Sequence, residues 1–546
     1  MANITIPRKT FEKEIGKLDE AMQEKIAYFG TPIESITENE MQIEIFPNRP
    51  DMLSYHGFKR SFLSYLGKSV GLKKYTLLPP EKDFKIKIDS SVKDVRPYTA
   101  CAIVKGLTFN DDKIKEIIEI QEKIHFTVGR KRKKLAIGIY PLEQIKLPIT
   151  YKALEPDQIK FIPLESEKEM SGLQILQRHP AGRDYAHLLA GKAKFPIFVD
   201  ADNQILSMPP IINSEKTGRI TEKTKDVFIE CSGFDMGILK KTLNIIVTTL
   251  ADMGGKIYQM ELVGLKEKTP NLDPEKMKIN IQNVNKLLGL ELNEKEIKQY
   301  LERMGHNYLK GEVEIPAWRV DILHEVDLIE EIAIAYGYKN FVPEIPSIST
   351  IGEINPKELA KTKVSEILAG LGLLEISNYH LTSRKNQFSK MGIAENQEKD
   401  FLEVLDSKTE YNIMRKDLSH YSLKILSENI DAEYPQKLFE IGRVFSKDGT
   451  EIKEKESLCI AIAPGNYTEL KQIIEYLGKM VNKEIKMKEA ENGKIPPHFI
   501  DGRTAEIQIN NKTIGIIGEI HPKILKNWKI KIPVATLEIN FDDLID

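Results

Sequence analysis

Pro316-Ala317-Trp318-Arg319-Val320-Asp321-Ile322, followed by His324-Glu325-Val326-Asp327-Leu328-Ile329-Glu330-Glu331 and closing in Tyr336-Gly337-Tyr338, is the stretch from which the rest of the chain is read. It sets four carboxylates, Asp321, Asp327, Glu330 and Glu331, within eleven residues. Val326, Ile329, Ile332, Ala333 and Tyr336 recur at helical spacing and are expected to face a core. That spacing groups Asp327, Glu330 and Glu331 on the opposite face, at i, i+3 and i+4, with Asp321 just ahead of the helix. Like charges this close repel unless a cation sits among them, and a hard divalent ion with oxygen ligands satisfies that need. A solvated acidic face is the other reading, with Asp321 as N-cap and Glu325 favoured in the first turn by the helix dipole.

At 546 residues the chain has room for roughly three or four domains. Lys+Arg 79 against Asp+Glu 81 leaves a formal charge of −2, so any nucleic-acid contact must use a local basic patch. Cys101, Cys231 and Cys459 lie far apart with no C-x-x-C pair, which argues against a disulfide framework or a cysteine zinc site and fits a reducing cytosol. The first residues lack an apolar signal-like core, and no apolar run reaches about 18 residues. A cytoplasmic protein with no membrane association is expected.

An α+β, multidomain organisation follows from the walk along the chain. Residues 1–78 read as a strand-like start, a charged helix from Phe11 to Phe29, the alternating strand Met41–Ile45, and the loop Phe46-Pro47-Asn48-Arg49-Pro50-Asp51 leading into a helix over His56–Tyr65. After a Pro79-Pro80-Glu81-Lys82 linker, residues 85–268 alternate strands (Tyr98–Val104, Ile197–Val199, Val227–Ile229) with helices (Lys113–Ile124, Gly237–Met253). Arg130-Lys131-Arg132-Lys133-Lys134 is either a phosphate-steering run or a solvated turn. Residues 270–346 carry the opening motif, with a capped helix starting at Asn293 and a glycine stop at Gly289. Residues 352–546 begin with a helix from Pro356 to Leu371 and a strand over Ile376–Leu381.

The block P-x-W-R-x-D-I…E-x-D-L-I-E-E-I-A…Y-G-Y resembles the B5 domain of phenylalanyl-tRNA synthetase beta subunits. In that family the positions matching Asp321, Asp327, Glu330 and Glu331 hold a magnesium ion shared with the alpha subunit. The N-R-P-D-x-L-S signature at Asn48–Ser54 is similar to the amino-terminal segment of the same subunits. Met208-Pro209-Pro210-Ile211-Ile212-Asn213-Ser214, with Thr217-Gly218-Arg219 after it, resembles their archaeal and eukaryotic editing domain, which hydrolyses tyrosine wrongly attached to the tRNA. The candidates this implies are His179, Arg183, Ser207, Asn213, Ser214 and Asp226, each equally readable as a polar turn residue. Tyr140-Pro141-Leu142-Glu143 departs from the family, where a His-Asp-Leu-Asp-like turn is expected.

Residues 352–546 resemble an antiparallel class II synthetase core. Gln436–Phe445 looks like the strand half of its motif 2, but Ser446-Lys447-Asp448 follows where an ATP-gripping Arg-x-Glu belongs. Beyond Arg443 the only arginine is Arg503, so no motif 3 arginine is available and the core reads as catalytically inactive. Phosphate-loop, G-x-G-x-x-G, zincin and G-x-S-x-G motifs are absent. Ser207 and Ser214 have no histidine base nearby in sequence, and His179 and His187 lack a third ligand. The resemblance therefore implies a subunit of a phenylalanine–tRNA ligase. With an alpha subunit, in an (αβ)2 heterotetramer, it would charge tRNA(Phe) using ATP, the adenylation site lying on alpha. A non-enzymatic tRNA-binding scaffold with an inactive editing pocket is the alternative.

Overall fold

A computed structural model describes residues 2–394, 400–491 and 495–545. The chain divides into two compact units, Met1–Ile345 and Pro346–Asp546.

Among the described residues the first unit holds three sheets of three or more strands and a two-stranded ladder of Lys160–Phe161 with Met170–Ser171. Ala2–Pro7, Glu40–Ile45 and Ile33–Ile36 form a small antiparallel sheet with Glu40–Ile45 in the centre. Its alternation buries Met41, Ile43 and Ile45 against Phe11, Phe58 and Phe62. The single helix expected from Phe11 to Phe29 is two, Arg8–Glu14 and Glu20–Tyr28. The break has a local cause: Gly16 adopts φ +150°, and the Asp19 carboxylate accepts from Met22 N–H, capping the second helix. Ser54 caps the next helix, Tyr55–Tyr65, through Gly57 N–H.

The large middle sheet has Val227–Gly233 between Tyr98–Lys105 and Leu135–Pro141, both antiparallel to it. All seven residues of Val227–Gly233 are buried, so both faces are covered. Helices Asp111–Phe126 and Met236–Asp252 supply Ile117, Ile120, Leu239 and Leu243 to one core, while Phe84, Tyr140, Tyr151, Phe198 and Phe228 fill another. The sheet continues through Ile149–Leu154, Phe195–Val199, Ile205–Met208 and Ile212–Asn213. The third sheet, Glu275–Lys278, Glu312–Ile315 and Asn307–Leu309, packs with helices Ile281–Leu288, Glu294–Arg303 and Glu325–Tyr336. Asn293 and Glu296 form a capping box, and Gly289 ends the preceding helix at φ +66°. No helix among the described residues is long and apolar enough to cross a membrane. Cys101, Cys231 and Cys459 are free and buried.

The second unit is a seven-stranded sheet dominated by the hairpin Gln436–Asp448/Glu451–Ala463. Helices Pro356–Gly370 and Tyr467–Met480 share one core with it, and Ser419–Glu428 and Pro522–Asn527 share another. The strand expected over Ile376–Leu381 is instead two short pieces, Leu374–Glu375 and Leu381–Thr382. Between them Asn378 turns to Glu440, its N–H donating to Oε1 at 3.2 Å and its Nδ2 to Oε2 at 2.7 Å. Fully buried Arg415 completes this joint, donating to Glu440 Oε1 at 2.6 Å, Arg443 O at 2.8 Å and Asn378 O at 3.2 Å.

Removing one member of such a buried pair strands the other charge and costs about 3–5 kcal/mol. Arg415→Met should lower stability by that amount in urea unfolding, and adding Glu440→Leu should recover much of the loss. A single-variant cost below about 1 kcal/mol would mean the pair is incidental.

Candidate functional site

Three strands meet at one polar cluster in the middle sheet. Tyr140 comes from Leu135–Pro141, Glu230 from Val227–Gly233 and Ser207 from Ile205–Met208, with Asn213 paired opposite Ser207. The Tyr140 hydroxyl donates to Ser207 Oγ at 2.8 Å and lies 3.3 Å from Glu230 Oε1 and 3.4 Å from Asn213 Oδ1. Gly138 faces Glu230 across the ladder. A Cβ on it would stand 2.1 Å from the Tyr140 hydroxyl oxygen and 2.7 Å from Glu230 Oε1. Glycine is thus required by close approach rather than by backbone conformation.

Glu230 is 2% exposed, and its Oε2 has no hydrogen-bond partner among the described residues. Burial pushes its carboxyl up to about 8, against the opposing pull of the Arg96 guanidinium and of the Tyr140 and Ser232 hydroxyls. It is therefore a carboxyl that is substantially neutral near pH 7, able to donate as well as accept. Glu230 and Asn213 line a cavity of about 390 Å³ together with Ile137, Pro209, Pro210 and Arg132. That size and mixed lining suit a small-molecule group such as an amino-acid side chain.

Of the basic run, Arg132 lines the cavity. Arg130, Lys131 and Arg132 all take left-handed backbone, at φ 47°, 54° and 63°, a conformation that costs side-chain-bearing residues free energy unless neighbours enforce it. Arg132 supplies the enforcement: its Nη1 donates to Ile211 O at 2.9 Å and its Nη2 to Glu122 at 2.7 Å, with the guanidinium 4.5 Å from the Tyr185 ring. Arg130, Lys131, Lys133 and Lys134 stay exposed. Burial holds His125 below the usual imidazole value, and its Nε2 accepts from Ile137 N–H at 2.7 Å, as a neutral ring can.

Of the residues singled out in the sequence, Ser207 and Asn213 join this cluster. Ser214 is buried beside it as the residue preceding the short helix Glu215–Gly218. His179, Arg183 and Asp226 are outside the cavity lining. His179 sits between two helices with Nε2 at 3.1 Å from Leu164 O, Arg183 is exposed, and Asp226 Oδ1 accepts from Gly106 N–H at 2.9 Å. Glu230 and Gly138 were not foreseen. The available signal was a lone glutamate inside the apolar run Val227-Phe228-Ile229-Glu230-Cys231, a placement that is rare without a purpose.

The acidic segment is arranged differently from its spacing. Arg319 is 2% exposed and grips two carboxylates. Its Nε and Nη2 donate to Asp321 at 2.8 and 2.7 Å, and Nη1 and Nη2 donate to Glu331 at 3.1 and 3.0 Å. Glu331 is buried, with His306 Nε2 at 3.3 Å and Arg49 at 4.0 Å. Although burial opposes it, Arg319, His306 and Arg49 hold the Glu331 carboxyl well below the usual range. Glu331 therefore points inward, and Val326, expected in the core, is 45% exposed. The helix N-cap is His324 rather than Asp321, and Asp327 Oδ2 accepts from Leu323 and His324 N–H at 2.7 and 2.8 Å. Glu330 is exposed. Among the described residues, no group of three or more His, Cys, Asp or Glu side chains converges to hold a metal ion. The all-oxygen donor set suits magnesium, but in the chain by itself Arg319 already neutralises two of its members.

In the second unit all four arginines are paired with carboxylates: Arg384 with Glu403, Arg415 with Glu440, Arg443 with Glu454 and Arg503 with Glu519.

Two family models match the chain. Residues 342–541 match the phenylalanyl tRNA synthetase beta chain CLM domain, and residues 277–338 match the tRNA synthetase B5 domain. The phenylalanine–tRNA ligase beta subunit of Archaeoglobus fulgidus is 36% identical, across 100% of this chain and 99% of that protein. That of Pyrococcus furiosus is 38% identical, across 90% of this chain and 89% of that protein. Among solved structures, an N-terminal fragment of the phenylalanyl-tRNA synthetase beta subunit from Pyrococcus horikoshii matches with a TM-score of 0.59 at 37% identity, covering 61% of this chain and 99% of the fragment. With that similarity running from end to end, the chain belongs to the phenylalanyl-tRNA synthetase beta-subunit family.

Proposed function

We propose that the chain is the beta subunit of a cytoplasmic phenylalanine–tRNA ligase, acting with an alpha subunit in an (αβ)2 assembly to attach phenylalanine to tRNA(Phe) with ATP. Adenylation belongs to alpha. The run Ser446-Lys447-Asp448 after Gln436–Phe445, where an Arg-x-Glu would grip an ATP phosphate, supports that division. In this reading residues 1–78, 85–268, 270–346 and 352–546 serve as amino-terminal, editing, B5-type and inactive class II-like segments.

The second proposed activity is hydrolysis of tyrosyl-tRNA(Phe), and Glu230 carries it. A tyrosine phenol entering the cavity meets the unpartnered Glu230 Oε2. Phenylalanine leaves that oxygen unpaired, and burying an unpaired polar group is costly. Sites that read a hydroxyl in this way discriminate by roughly 10⁴-fold. Water attack on the ester then relies on positioning, by Asn213 and the Pro209–Ile211 turn that Arg132 holds, rather than on a covalent nucleophile. One observation favours the scaffold alternative: the resident Tyr140 phenol already lies 3.3 Å from Glu230 Oε1.

Asp321, Asp327, Glu330 and Glu331 are proposed to hold magnesium together with alpha-subunit ligands. Bound there, the ion would neutralise the acidic face at the interface. Asp327 and Glu330 offer that face directly, whereas Asp321 and Glu331 are oriented by Arg319.

Deacylation of tyrosyl-tRNA(Phe) by the αβ complex tests the editing reading. Glu230→Gln should slow it at least tenfold and leave phenylalanylation unchanged. No hydrolysis by the wild-type complex would support the scaffold instead. Stability gives an independent check on Glu230. Because its folded carboxyl is raised from 4.5 to about 8, its contribution is full below about pH 4.5 and lost as pH rises through about 8. Wild type should therefore lose up to about 1.4 kcal/mol per pH unit relative to Glu230→Gln across that window. Parallel pH profiles would place Glu230 in a wetter site. At the interface, Asp327→Asn with Glu330→Gln, or EDTA, should weaken alpha–beta association at least tenfold in sedimentation. Association indifferent to both would remove the magnesium from the account.

A further inference from the structure

Three buried arginines stand close together in the first unit, and two of them are used alike. Arg49 presents its Nε and Nη2 edge to Asp51 at 3.0 and 2.9 Å, and Arg319 presents the same edge to Asp321 at 2.8 and 2.7 Å. The third is Arg60, whose side chain is 6% exposed. Its Nη1 donates to Asp252 at 2.7 Å and to Tyr75 at 3.0 Å, and its plane lies 4.6 Å from the Trp318 ring. Its Nε and Nη2 edge, the one its two neighbours fill with a carboxylate, has no partner among the described residues. A buried fork of two unpaired donors is costly to leave empty and matches the two oxygens of an oxyanion.

Arg60 also lines a cavity of about 110 Å³, well below the roughly 300 Å³ at which sites for larger organic ligands begin. Its lining includes Arg49, Lys59, Arg60, Lys73 and Arg319, of which Arg49 pairs with Asp51, Lys59 with Glu14, Arg60 and Lys73 with Asp252, and Arg319 with Asp321 and Glu331. Ser61 lines it too. Its Oγ accepts from Arg49 Nη2 at 3.2 Å, so its own hydrogen remains free to donate. Lys73, with its amine at 2.6 Å from Asp252, is 47% exposed and stands where the cavity reaches solvent. The Asn48–Ser54 motif contributes Arg49, and the Pro316–Ile322 motif contributes Trp318 and Arg319. Neither role enters the proposed aminoacylation or editing chemistry.

We propose that the Nε/Nη2 edge of Arg60, with Ser61 and Lys73, binds a phosphate-type oxyanion in this cavity. Free phosphate and a backbone phosphate of RNA share the chemistry, and competition separates them.

Equilibrium dialysis of the full-length chain against radiolabelled inorganic phosphate, at fixed ionic strength, is the test. Saturable uptake of one equivalent per chain is expected, displaced by sulfate and not by chloride. Arg60→Gln should weaken it at least tenfold, and Lys73→Gln and Ser61→Ala at least threefold each. These last two are less buried and decide the matter if Arg60→Gln does not fold. Displacement by an unlabelled tRNA transcript would identify the ligand as an RNA phosphate, and failure to displace would identify it as the free ion. No saturable uptake by wild type, or uptake unchanged in the variants, would overturn the proposal.

Discussion

One guanidinium holds the first unit's polar interior in place. Arg319, almost wholly buried, satisfies Asp321 and Glu331 at once, and Glu331 in turn faces His306 and Arg49. Arg49 comes from the amino-terminal loop, His306 from the turn after Glu294–Arg303, and Glu331 from the helix Glu325–Tyr336. Nearby, Arg60 joins Tyr55–Tyr65 to Asp252 at the end of Met236–Asp252 while lying against Trp318. Charges buried at this depth are tolerable only when each is matched, and removing one exposes the next. The network therefore links three segments far apart in sequence more specifically than apolar packing can.

The same constraint reshapes the acidic segment. Four carboxylates on one short stretch invite a metal, yet a buried arginine supplies positive charge first. Arg319 thereby fixes the orientation of Asp321 and Glu331, while Asp327 is held by backbone N–H groups and Glu330 stays exposed. The polar cluster in the middle sheet follows the opposite logic. There burial keeps a carboxyl neutral, and a glycine, rather than a counter-charge, makes the room. One fold thus holds both a matched ionic core and a pocket whose buried carboxyl has no counter-charge paired to it among the described residues.

Much of this was legible in the sequence. Periodicity located the helices Asp111–Phe126, Met236–Asp252 and Pro356–Gly370 to within two residues, because their apolar spacing and capping residues agree. Ser207 and Asn213 were found through their neighbours in the Met208–Ser214 run. What escaped depended on partners distant in sequence. The inward turn of Glu331 answers Arg319, twelve residues away. The irregular backbone at Asn378 answers Glu440, a partner no local propensity announces. Glu230 matters because Gly138 and Tyr140 arrive on another strand, and helical or strand periodicity carries no information about such convergence.

Amide hydrogen exchange on an Arg319→Met variant tests the central claim most directly. If this residue ties the three segments together, protection should fall in Glu325–Tyr336 and also in Glu294–Arg303, which leads into His306, and in Tyr55–Tyr65, which Arg49 reaches through Ser61. A loss confined to Glu325–Tyr336, with the other two helices unchanged, would contradict it.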